Sequence, residues 1–322
     1  MSARTPLLSS SSDSTFKDID TKRPTFATFC WYYFELTRLH KFPLGNLLLI
    51  WPSVWSLTMA AYKAHLDPHD LLVWTALFAI GSTLVHSAAC VINDIYLTVT
   101  LERTKNRPLA AGVIPLAGAW ALLLVLLAVC LAMIHMVNPV AAVVGLIGIF
   151  PFHALYPLMK RWTWWPQAWL GFAMNWGIPM AWLSVIPAYR KEDVQIIVIL
   201  LFGAVCWTIV YDTQYGCQDK VDDERAGVKS TSLLFGKHVR IILAGFASVF
   251  IGCLVTAGVL NRQSWPYYLL SCGGASMHFV WQFATWDADE PSDCGAKFKA
   301  NHDLGYFVYA GILLDYLLRT YN

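Results

Sequence analysis

Residues 195–230 read QIIVILLFGAVCWTIVYDTQYGCQDKVDDERAGVKS, and the fold turns on this stretch. Its first seventeen residues, through Tyr211, are almost wholly apolar. The remainder carries Asp212, Asp219, Asp222, Asp223 and Glu224 among Lys220, Arg225 and Lys229. An apolar run of this length reads as a membrane helix, and an acid at its edge is expensive enough to be a functional candidate. If the helix continues, Asp212, Asp219 and Asp223 stand at i, i+7 and i+11, on one stripe of its surface. Aligned carboxylates call for a cation, and hard oxygen ligands suit Mg²⁺; Lys220, Arg225 and Lys229 are then candidate partners for phosphate oxygens that enter with it. The competing reading is a solvated loop whose charges balance.

Working outward, the composition supports a polytopic membrane protein: 57% of the 322 residues are apolar and 14% charged. A net charge of +2 argues against a nucleic-acid partner. The eight cysteines form no CxxC pair, so neither a zinc site nor a disulfide framework is indicated. Further apolar runs lie near 44–62, 70–92, 112–135, 138–158, 164–186, 239–260, 265–285 and 304–320, which with 193–214 make about nine transmembrane helices. All must be helical, because an open strand edge is not tolerated in lipid. Residues 1–24 are polar and Ser-rich and read as a disordered tail; residues 25–322 form the membrane domain. Eighteen of the 23 Lys and Arg fall on the side of the tail and of the loops after the second, fourth, sixth and eighth runs. That side is expected to be cytoplasmic. Asp13, Asp18 and Asp20 make the tail a poor mitochondrial transit peptide, so an endoplasmic-reticulum or Golgi-type membrane is preferred.

A second polar stretch, 93–109, reads NDIYLTVTLERTKNRPL. Asn93 and Asp94 end the second run, and Arg103, Lys105 and Arg107 follow. It reads either as a second diphosphate-gripping loop or as an ordinary basic cytoplasmic loop. This loop and 212–230 stand four helices apart and each follows a helix ending in acid or amide. Two pseudo-repeated four-helix halves are therefore expected, with the site between them. Lys160 and Arg161 end the fourth run and are either topology anchors or cations for the same mouth. His86 shares a stripe with Asn93 and reads more readily as a packing residue than as a pocket one. Trp51, Trp55, Tyr156, Asn175 and Trp176 divide between packing and pocket, since aromatic faces can steady a carbocation. Asp315, in the last run, has no evident partner in the sequence. Together these features suit ionisation of an allylic diphosphate at a membrane edge, with an apolar cavity shielding the cation.

From about Arg38 to Arg240 the chain resembles the UbiA superfamily of intramembrane prenyltransferases. The resemblance lies in RLHKFPLGNLLLIWPSVWS, ERTKNRPLAAG, YPLMKRWTWWPQAWLGFAMNWG and YDTQYGCQDKVDDERAGVKSTSLLFG. It implies a nine-helix bundle, Mg²⁺ dependence and prenyl transfer from an isoprenoid diphosphate to an aromatic acceptor, with no obligate protein partner. Asp212, Asp219 and Asp223 correspond to the second aspartate-rich motif, and Asn93 to the opening of the first. Lys160 corresponds to a base reaching the diphosphate, and Arg103 and Arg107 to the bases after the first motif. The expected metal ligands are thus Asn93, Asp94, Asp212, Asp219 and Asp223, and the expected diphosphate ligands Lys160, Arg103, Arg107 and Lys229. The first motif departs from the family: Leu97 and Leu101 stand where two aspartates belong, and the loop is about three residues short. An enzyme running on one acidic motif, a terpene cyclase of the same fold, a non-catalytic lipid-binding relative, or a few codons missing at an exon junction would each account for this.

Overall fold

The computed structural model describes residues 25–97, 107–225 and 227–321, without the side chains of Leu97 and Asp222. The tail read at 1–24, together with Leu101, Glu102 and Arg103, lies outside the described residues. Among the described residues there is no strand. The helices are α1 (Phe26–Leu36), α2 (Asn46–Ala64), α3 (Pro68–Leu97), α4 (Leu116–Ile134), α5 (Pro139–Ile147) and α6 (Ala154–Trp162). They continue as α7 (Pro166–Asn175), α8 (Gly177–Val185), α9 (Lys191–Gly216), α10 (Lys220–Arg225), α11 (Thr231–Phe235) and α12 (Val239–Leu260). The chain closes with α13 (Gly274–Thr285) and α14 (Pro291–Tyr321).

Among the described residues five helical stretches are long and apolar enough to cross a bilayer: Pro68–Tyr96, Leu116–Ile134, Pro139–Trp162, Lys191–Asp219 and Thr231–Leu260. The protein is therefore an integral membrane protein. The other four apolar runs are helical too, but two are interrupted. The run at 164–186 is divided at Trp176 between α7 and α8, and the run at 265–285 opens with a π-helical turn, Tyr267–Gly273, before α13. The last run belongs to a helix that starts thirteen residues before it, at Pro291.

Local chemistry explains where the elements start. Proline opens α3, α5, α7 and α14, where its missing N–H costs nothing and its fixed φ suits the first turn. Thr25, Asn138 and Ser230 cap α1, α5 and α11 by accepting from the N–H groups of Thr28, Ala141 and Leu233. The first apolar run gives no sign of α1; the Thr25 cap and the following aromatic run do.

α9 is the central helix. Two-thirds (67%) of its most apolar window is buried by protein, against 17–33% for the other four spans. It packs on α7, α12 and α14, and glycines permit the close approach. A Cβ on Gly171 would stand 2.9 Å from Val205 Cγ1, and one on Gly203 would stand 2.6 Å from Cys253 Cβ. Small residues at crossings are how membrane helices gain contact without a hydrophobic drive. The α2–α14 crossing follows the same rule, with Gly305 lying under the Trp51 indole.

Candidate functional site

The acid at the end of α3 is the best-defined part of the site. Asp94 is 2% exposed. One carboxylate oxygen accepts from Arg38 Nη2 at 2.6 Å, and the other pairs with Arg107 Nη1. A carboxylate at a helix C-terminus is opposed by the helix dipole, and a burial this deep needs partners. The two guanidiniums supply them and leave the cluster one unit positive. Arg38 sits in the left-handed region at φ 63 with its Nη1 donating to the Glu35 carbonyl at 2.9 Å, so its planar fork is fixed at both ends. Asp94 and Arg107 were expected to serve metal and diphosphate separately; here each is the other's partner. Arg38 carried no expected role, although RLHK before Pro43 was its signal. Asn93 is half-buried beside Asp94 on α3.

The second motif follows α9 without leaving helix. α9 runs through Asp212 and passes into a 3₁₀ turn, Cys217–Asp219, then α10. The tighter turn advances each residue by about 120° instead of 100°, so Asp219 and Asp223 are rotated forward from the straight stripe expected for an unbroken α-helix. Asp212 and Asp219 are half-buried and Asp223 is 8% exposed. Among the described residues no three His, Cys, Asp or Glu converge closely enough to hold a metal ion. The five expected metal ligands are thus not a preassembled cage.

The loop after α10 folds back and is clasped at both ends. Thr213 and Thr231 share a buried hydroxyl–hydroxyl bond of 2.6 Å, and the Thr231 N–H donates to Gln167 Oε1 at 3.0 Å. The Lys229 N–H donates to the Lys160 carbonyl at 3.0 Å. This brings together two expected diphosphate ligands from segments nearly seventy residues apart. The Lys229 ammonium stands 6.0 Å from the Trp164 ring centroid. Lys220, a further phosphate candidate, is instead committed to the 286–290 loop: its Nζ donates to the Ala288 carbonyl at 3.0 Å and pairs with Asp289 at 3.3 Å.

Beneath the motif lies a buried polar network with no clear signal in the sequence. Asn301 on α14 accepts from Trp207 Nε1 at 2.9 Å and donates to the Lys297 carbonyl, Gln214 and Gln282. It locks α9, α13 and α14 together just below Asp212. Asn175 needed a partner and has three acceptors, Gly171 O, Ala204 O and Thr208 Oγ1. Trp51 and Trp55 are ties to α14, donating to the carbonyls of His302 and Gly305. Asp315 caps the start of the eighth run, accepting from Ser264 N–H at 2.8 Å. His86 packs within 3.9 Å of Cys90 Sγ on its own helix.

A largely apolar cavity of about 120 Å³ opens among α2 to α5, α7 and α8. Trp176, of the aromatic scatter, lines it. The arrangement therefore offers two guanidiniums on the acid that ends α3, a basic end on α6, acids from α9 and α10, and an apolar chamber among α2 to α5, α7 and α8.

Residues 49–308 match the UbiA prenyltransferase family. The chain is 43% identical over 288 residues to "UbiA prenyltransferase claS" of Ampulloclitocybe clavipes, covering 88% of this chain and 90% of that one. It is 37% identical over 324 residues to "4-hydroxybenzoate polyprenyltransferase, mitochondrial" of Schizosaccharomyces pombe, covering 98% and 87%. In fold it is similar to a UbiA homolog from Aeropyrum pernix K1, with a TM-score of 0.70 at 19% identity, over 83% of this chain and 97% of that one. A UbiA homolog from Archaeoglobus fulgidus bound to DMAPP and Mg²⁺ superposes with a TM-score of 0.58 at 16% identity, over 86% and 99%. The chain is a prenyltransferase and belongs to the UbiA prenyltransferase family.

Proposed function

We propose that the protein transfers a prenyl group from an isoprenoid diphosphate, farnesyl or similar, to a phenolic acceptor in meroterpenoid or quinone-type biosynthesis, in an Mg²⁺-dependent reaction. The observation that supports this reading is the Lys229–Lys160 tie, which holds the segment after the second acidic motif to the basic end of α6. The S. pombe relative is named for 4-hydroxybenzoate and the A. fulgidus homolog was solved with DMAPP and Mg²⁺, which supports the two substrate classes and the metal.

The residues present fit such an ion. Mg²⁺ keeps several waters and binds through one or two carboxylates plus substrate phosphates, so it needs no preassembled cage. Asp212, Asp219 and Asp223, with Asn93, would hold it; Asp94, both of whose oxygens face guanidiniums, would act chiefly by presenting them. Bound there with the diphosphate, the ion would offset the charge that develops on the leaving group. Lys160, Lys229, Arg107 and Arg103 would take the remaining phosphate oxygens. The C1–oxygen bond of the donor breaks, the chamber excludes water from the allylic cation, and a ring carbon of the acceptor bonds to C1 and passes its proton to the released diphosphate.

Nine spans in two four-helix halves, with the mouth cytoplasmic, complete the proposed arrangement. The three aspartates of the tail, Asp13, Asp18 and Asp20, support an endoplasmic-reticulum or Golgi-type membrane over the mitochondrion named for the S. pombe relative. Microsomes containing the protein, given farnesyl or geranylgeranyl diphosphate and a panel of phenolic acids, should yield prenylated phenol and inorganic diphosphate. Diphosphate release with a free hydrocarbon and no phenolic product would replace this reading with the terpene-cyclase one.

A further inference from the structure

The chamber lining includes a histidine that the scheme above does not use. Between α5 and α6 the chain makes a π-helical turn, Gly148–His153, containing Pro151. Proline cannot donate to the helix ladder, and three side chains bond main-chain carbonyls around this interruption. Trp176 Nε1 donates to Val144 O at 2.7 Å, Trp169 Nε1 to Phe152 O at 2.8 Å, and His153 Nδ1 to Gly148 O at 2.9 Å.

The last bond fixes a tautomer. A carbonyl only accepts, so Nδ1 carries the proton. An imidazolium here would be an unpaired charge in an apolar lining, so the ring is neutral and Nε2 bears a free lone pair. His153 lines the chamber, and its Nε2 is buried with no hydrogen-bond partner among the described residues. A buried acceptor without a donor costs about 1–3 kcal/mol, which a ligand donor would recover. His153 ends the turn that leads into α6, seven residues before Lys160, on the same side and about 10 Å deeper along the axis. That gap suits one substituted aromatic ring between the chamber polar atom and the diphosphate end.

We propose that His153 Nε2 accepts a hydrogen bond from the hydroxyl of the aromatic acceptor and makes this chamber selective for phenols over their ethers. The proposal rests on the phenolic-acceptor reading, but its test does not require turnover. The full chain in detergent is titrated with 4-fluorophenol and 4-fluoroanisole, followed by ¹⁹F NMR. The wild type should prefer the phenol by about three- to tenfold, the net worth of one hydrogen bond. His153→Asn keeps an amide that can donate to Gly148 but has no atom at the Nε2 position, and should lose the preference. His153→Gln, which reaches that position with an acceptor, should retain part of it. An undiminished preference in His153→Asn, or none in the wild type, would overturn the proposal. If only the backbone staple matters, His153→Asn will behave as wild type and His153→Phe will fail. Loss of prenyl transfer to every phenol in the microsomal assay, with the fluorophenol preference intact, would instead remove the reading of the function.

Discussion

The main-chain N–H of Lys229 is bonded to the main-chain carbonyl of Lys160 over 3.0 Å, so two basic side chains from distant segments are held side by side by backbone alone. That bond uses neither ammonium, and the Lys229 one stands 6.0 Å from the Trp164 ring centroid. Lys160→Ala and Lys229→Ala should each raise KM for the prenyl diphosphate by about tenfold, roughly 1.4 kcal/mol for one charge-assisted contact, without moving the melting temperature. Lys229→Pro, which deletes the N–H, should lower both activity and melting temperature. Steady-state kinetics with thermal melts in detergent separate the two cases, and an unchanged KM in both alanine variants would remove these lysines from the site.

The Arg38–Asp94–Arg107 cluster makes Asp94 the most sensitive position at the end of α3. Asp94→Asn leaves two guanidiniums around a neutral amide and should cost about 3 kcal/mol, because removing one member of a buried pair leaves the rest uncompensated. The apparent melting midpoint should fall by roughly 5 °C. A shift under 1 °C would mean that the cluster contributes no stability.

Metal removal should separate activity from stability. No three-group metal cluster exists among the described residues, so EDTA should abolish prenyl transfer and Mg²⁺ restore it while the melting curve stays in place. Asp219→Ala with Asp223→Ala should lower kcat/KM by at least about 10²-fold, the scale of several kcal/mol of lost leaving-group stabilisation. Full activity in that double variant would sink the assignment of the second motif.

A pH effect belongs to the start of α14. Burial raises the Asp293 carboxyl, but the Lys297 ammonium at 2.7 Å and the Asp287 N–H at 2.6 Å outweigh it, and the net shift is below the usual 3.8. A depressed carboxyl stabilises the fold above its unfolded value and loses that contribution as pH falls through the folded one. Melting temperature should therefore drop more steeply below about pH 4 in the wild type than in Asp293→Asn. Parallel pH profiles would refute the pairing.

Much of the helical content was legible because apolar runs of bilayer length have only one backbone solution in lipid. The interruptions were legible only in part. Pro151 and Pro157 mark trouble in the fourth run, but that Trp169 and Trp176 bond its carbonyls depends on which helices lie alongside. Lys220 shows the same limit. It reads as a phosphate ligand beside Asp219, and a loop almost seventy residues away claims it first.

By itself the sequence determined an integral-membrane, all-helical chain with an acidic motif closing one apolar helix and basic groups ending two others. Hydropathy, proline placement and charge carry that information locally. Only the tertiary structure decided that Asp94 belongs to Arg38 and Arg107, that Asp315 serves Ser264, and that Asn301 ties the helix bearing Asp212 to its neighbours. A buried polar atom takes whichever partner the packing brings within about 3 Å, and that neighbour is set by helix crossings that no local pattern encodes.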